Sequence, residues 1–90
     1  MKQIQTIEDV YPALDELIAE LKAADQSRLA TVLHHRLHEV AWTSGLELFE
    51  ELRTVLTRAV QSDDPKLPEQ LKGNAEQIMH ALDGYLNSEA

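Results

Sequence analysis

The chain contains no cysteine, which excludes disulfides, thiolate metal sites and cysteine nucleophiles. It is also poor in positive charge. Eight Lys and Arg stand against sixteen Asp and Glu, a formal net charge of −8 at pH 7. No two cations are adjacent. Affinity for nucleic acid rests on cations set against phosphates, and docking on anionic lipid needs the same, so neither is an expected partner. No apolar run approaches the ~20 residues that span a bilayer. Met1 to Thr6 lack the apolar stretch of a signal peptide, and a cytoplasmic location is expected. The three glycines are scattered, so there is no Gly-rich loop to cradle a phosphate. Hydrophobic residues make up 43% and charged residues 27%, a globular balance rather than a disordered one. Ninety residues are the length of one domain, 1–90, with a limited core.

The apolar residues that are there recur with helical spacing throughout. Val10, Leu14, Leu17, Ile18 and Leu21 predict a helix over 9–24, with Thr6 or Asp9 at its start and Pro12 tolerated in the first turn. Asp25-Gln26-Ser27 is a short turn. Leu29, Val32, Leu33, Leu37 and Val40 predict a second helix over 27–41. Ser44 reads as an N-cap with Glu47 three residues on, and Leu48, Phe49, Leu52, Val55, Leu56, Ala59 and Val60 predict a third over 45–60. A loop at 62–67 precedes Pro68, which opens a fourth helix over 68–86 as a first-turn residue. Leu71, Ala75, Ile78, Met79, Leu82, Tyr85 and Leu86 line that helix, and residues 87–90 are expected to fray. Four amphipathic helices with short links predict an all-α, antiparallel up-down-up-down four-helix bundle.

The densest cluster of chemistry-bearing residues is Leu33-His34-His35-Arg36-Leu37-His38-Glu39-Val40-Ala41-Trp42. It holds three of the four histidines and the only tryptophan. At 100° per residue, His34, His35, His38 and Trp42 fall opposite the apolar stripe of the second helix, with Thr31 and Glu39 at the edge. An aromatic ring and titratable imidazoles on an outer face suggest a contact surface that protonation could tune between about pH 5 and 8. Trp42 can either plug the corner between helices two and three or stay exposed as an anchor. Arg36 lies near the edge of the stripe. Its stem is expected to pack while its head reaches water, the alternative being an ion pair with a carboxylate on a neighbouring helix.

Catalytic and metal chemistry find little support. His34/His38 and His35/Glu39 each stand one turn apart, but one helix offers two ligands and a closed site needs about four. His38-Glu39-Val40-Ala41-Trp42 begins like the zinc-protease H-E-x-x-H helix, with Trp42 in place of the second ligand. Glu16/Glu20 and Glu47/Glu51 are spaced like solvated faces. No nucleophile has an evident base or oxyanion partner. The expectation is no metal, no cofactor and no enzymatic activity.

His35-Arg36-Leu37, with Gly45 ten residues after the histidine and Phe49, Leu52 and Leu56 beyond, resembles the histidine phosphotransfer domains of bacterial phosphorelays. Their pattern is His-x-Leu-Lys-Gly, a further Gly and an apolar helix. The resemblance implies a four-helix bundle with His35 as an exposed phosphate acceptor. Where that family has Lys and Gly, this chain has His38 and Glu39, and Glu39 sets negative charge one turn from His35. Trp42-Thr43-Ser44-Gly45 and Tyr85-Leu86-Asn87-Ser88-Glu89 are also similar to the Trp-x-Gly and Tyr-x-x-x-Asp/Glu patterns of WXG-type helical hairpins, with one residue more between Trp and Gly. The leading expectation is a small acidic, non-catalytic protein-binding module, an adaptor, inhibitor or regulatory partner, using His34, His35, His38, Trp42, Thr31 and Glu39. The alternatives are phosphotransfer through His35 and a self-associating bundle, a homo-oligomer.

Overall fold

Val10, Leu14, Leu17, Ile18 and Leu21 sit on one stripe because they recur every three or four residues, and all five are buried in the first helix of the computed structural model. The model describes residues 4–42, 44–62 and 67–89. The expected break at Thr43, the link 63–66 and Ala90 lie outside the described residues. A 3₁₀ turn, Ile7–Asp9, leads into α1, Val10–Ala23. The Asp9 carboxylate accepts from the Gln5 and Thr6 backbone N–H groups at 2.9 and 3.1 Å. α2 spans Ser27–His34 and continues as a π-helical turn, His35–Glu39. α3 is Gly45–Gln61 and α4 is Glu69–Glu89. Every regular element among the described residues is helical, with no strand.

The ends of these elements follow local chemistry. α1 stops in a Schellman-type turn. The Asp25 N–H donates to the Lys22 carbonyl at 3.3 Å and the Gln26 N–H to the Leu21 carbonyl at 2.8 Å, which satisfies carbonyls left over at the helix end. That turn needs a left-handed residue, and Asp25 supplies it at φ 65°. Ser44 caps α3 as expected, its Oγ accepting from the Glu47 N–H at 3.3 Å. Pro68 stands one place earlier than expected. Its carbonyl accepts from the Lys72 N–H at 2.9 Å, so it precedes the first helical residue, Glu69. The C-terminal end also departs from expectation: 87–89 continue α4 instead of leaving the helix.

One hydrophobic cluster draws on every helix. Leu14, Leu17 and Leu21 of α1 meet Ala30 and Leu33 of α2, Leu52 and Leu56 of α3, and Ile78 and Leu82 of α4, all almost fully inaccessible. Phe49 packs edge-on to Tyr85 with ring centroids 5.2 Å apart and lies 5.9 Å from Tyr11, a geometry the ring quadrupoles favour. α1 packs on both α2 and α4, and α4 on both α1 and α3. The contact between α2 and α3 is thin beside those of α1 with α2 and α4 and of α3 with α4. Two acidic positions that the spacing assigns to water are engaged: half-buried Glu20 accepts from the buried Asn74 amide at 3.2 Å, and Glu51 pairs with Arg36.

Asp25 holds a backbone conformation that costs an L-residue about 1 kcal/mol or more and that glycine adopts freely. Asp25→Gly is therefore expected to raise unfolding stability by about 0.5–1 kcal/mol. The check is a higher urea midpoint at unchanged slope; a lower midpoint would show that the Asp25 side chain stabilises the turn.

Candidate functional site

α2 buries a different face from the one its apolar spacing predicts. Ala30 and Leu33 are fully buried, whereas Leu29, Val32, Leu37 and Val40 are only half-buried. The buried face is thus rotated by roughly 60° from the expected stripe, at 100° per residue. The cause is tertiary. α2 packs mainly on α1, and the small Ala30 lets the two helices approach. Leu29 and Val32 are left on the flank toward α3.

That rotation divides the predicted contact face. Thr31, His35 and Glu39 are exposed on the outside of α2 and its π-turn, as expected. His34 is half-buried rather than outermost. His38 is exposed but turned toward α1: its Nε2 donates to Asp15 Oδ1 at 2.6 Å. A π-turn is wider than an α-turn, so each residue advances less around the axis. This brings His38 back toward α1 and sets Glu39 beside His34, whose Nδ1 donates to Glu39 Oε2 at 3.1 Å. The His34 and His38 rings stand 5.0 Å apart, tilted by 50°. Both imidazoles are held by carboxylates, which can only accept.

Trp42 combines its two sequence readings. The chain leaves helical geometry at Val40, φ −99° and ψ 133°, and the last carbonyls of a helix then need other donors. The Trp42 indole N–H donates to the Arg36 carbonyl at 2.6 Å. Its ring is half-buried and packs against the core. It therefore closes the corner between α2 and α3 with part of its surface still in water. Leu46, one of two exposed large hydrophobics among the described residues, lies four residues on.

Arg36 takes the ion-pair alternative rather than ending in water. Its Nε donates to Glu51 Oε1 on α3 at 3.2 Å. Its Nη1 donates to His35 Nδ1 at 2.7 Å. A guanidinium has no acceptor atom, so His35 Nδ1 supplies the lone pair and the ring hydrogen of the neutral imidazole sits on Nε2. In this arrangement neither nitrogen of His35 presents a free lone pair to an incoming phosphoryl group.

The expected site residues are thus three kinds of group. Thr31, His35 and Glu39 form an outer strip. His34 and His38 mark the seam with α1. Trp42 forms the corner. Among the described residues no group of three or more His, Asp and Glu side chains could hold a metal ion, and no helix is long and apolar enough to cross a membrane. The spacing gives no sign of Asp15 as a partner of His38, of the α2–α3 cleft, or of Leu46 as exposed. Pairings across helices leave no periodic trace. The chain matches no protein-family model, no curated protein and no solved structure in these comparisons.

The indole bond and the ring contacts of Trp42 separate in two variants. Trp42→Phe keeps an aromatic ring but no donor and is expected to cost about 1 kcal/mol. Trp42→Ala also loses the packing and is expected to cost about 2 kcal/mol or more. Urea unfolding followed by circular dichroism reads both. Wild-type stability in Trp42→Ala would remove the residue from any part in holding the corner.

Proposed function

We propose that this protein is a small acidic, non-catalytic protein-binding module, and that its contact surface is the outer strip of α2 together with the corner that follows it. The observation that carries this reading is Trp42. Its indole is tied to the backbone of Arg36, and its ring is half in water. An aromatic side chain fixed in this way contributes contact area without a large loss of rotamer freedom, which is how anchor residues contribute to interfaces. Leu46, four residues on, and Thr31, His35 and Glu39 add exposed apolar and hydrogen-bonding groups. A partner basic near this face would be favoured in encounter by the net charge of −8. The same reading takes the fold as an antiparallel up-down-up-down bundle. Its support is that residues at the start of α2 and at the end of α3 line one cleft.

Phosphotransfer through His35 is the second reading, and one observation favours it: His35 is exposed on an outer helix face of a four-helix protein. The Arg36 bond to Nδ1 weighs against it, because the ring hydrogen then occupies the outward nitrogen.

The test is site-specific photo-crosslinking in the producing cell. A photoreactive residue at His35 or Leu46 is expected to give a discrete adduct with a second protein, and the adduct should fade in the Trp42→Ala background. The same residue at Gln77, exposed on α4, is expected to give none. Equal adducts from all three positions would mean that this corner is not the contact surface. An acid-labile phosphate on the wild type that is lost in His35→Gln would instead establish the phosphotransfer reading.

A further inference from the structure

The thin contact between α2 and α3 leaves a cleft of about 490 Å³, within the range of small-molecule sites. It is bordered by the start of α2, the end of α3 and Leu67. Leu29 and Val32 of α2 and Val55 and Ala59 of α3 give it an aliphatic floor. None of these four is fully buried, so each keeps apolar surface that a ligand could cover.

The charges around this floor run against those of the whole chain. Three of the four arginines line it, Arg28, Arg36 and Arg58, with two carboxylates, Asp25 and Glu51. Among the described residues that line it, cations thus outnumber carboxylates by one. The rest of the chain sets five Lys and Arg against fourteen Asp and Glu. Arg36 is already paired with Glu51. Arg28 and Arg58 take part in none of the ion pairs among the described residues. Two uncommitted guanidiniums beside an aliphatic floor suit a ligand with an apolar body and one anionic head. Arginine forks match carboxylate geometry.

We propose that the α2–α3 cleft binds a small amphipathic carboxylate, its alkyl or aryl body on Leu29, Val32, Val55 and Ala59 and its head group taken by Arg28 and Arg58. The eight residue steps from Arg28 to Arg36 rise about 12 Å along the helix, the reach of an extended alkyl chain of roughly ten carbons. This site adjoins the outer strip of α2, where Arg36 bonds His35, but neither reading depends on the other.

The experiment is an NMR titration of the ¹⁵N-labelled protein with decanoate below its micelle threshold. The cation decyltrimethylammonium is the comparison. Saturable shifts are expected in the amides of 27–36 and 55–62 with decanoate and not with the cation. Arg28 and Arg58 are both exposed, so Arg28→Gln/Arg58→Gln should keep the fold by circular dichroism. It should also weaken decanoate binding by about tenfold or more. Arg28→Lys/Arg58→Lys should recover part of the affinity, which keeps the test readable if the glutamine variant loses helicity. The proposal is overturned by an absence of saturable shifts, by equal binding of the cation, or by unchanged affinity in a folded glutamine variant. Shifts of the same amides on raising protein concentration without decanoate would also overturn it, since a second copy of the chain would then be the occupant.

Discussion

Arg36 joins the two halves of this protein, and much of the candidate site depends on how its groups are used. Its carbonyl lies where α2 gives out, and the Trp42 indole donates to it. Its guanidinium reaches Glu51 on α3 and His35 on its own helix. One residue thus fixes the corner, ties α2 to α3 at one end of their cleft and sets the hydrogen of the exposed imidazole. The pair with Glu51 is partly exposed, so its Coulomb energy is screened and modest. Its structural effect is positional: it spans a contact that apolar packing leaves thin.

The second constraint is the choice α2 makes between neighbours. A short helix offers a limited apolar face, and Ala30 and Leu33 commit most of it to α1. Two features follow from that commitment. On the α1 side, the π-turn and the His38–Asp15 bond close the seam. On the α3 side, Leu29 and Val32 remain half-covered and the cleft stays open. The surface read as a binding face and the cleft read as an anion site are adjoining flanks of the same helix, and both exist because α2 is not packed symmetrically.

Most of the architecture is legible in the spacing. Long amphipathic segments bury the residues their period selects, which is why Val10, Leu14, Leu17, Ile18 and Leu21 of α1 and Leu71, Ala75, Ile78, Leu82 and Leu86 of α4 all lie in the core. Ser44 as a cap is equally legible, because capping is a contact across three residues. α2 is the exception. Its eight α-helical residues are too few for a period to fix a face against the pull of a neighbour. Only part of the candidate site is legible for the same reason: Thr31, His35 and Glu39 lie outside as expected, while His38 reaches α1 and His34 and Trp42 turn back onto the π-turn.

The sequence by itself determined the helical class, the charge of −8, the absence of thiol chemistry and the positions of four helices. These depend on composition or on contacts within a turn or two of helix. Tertiary structure alone decided which face α2 buries, that Arg36 pairs with Glu51, that Asn74 meets Glu20, and that three arginines surround one cleft. Each of these depends on how two helices rotate and approach, and that is set by the sum of many weak side-chain contacts across the core, which no local pattern encodes.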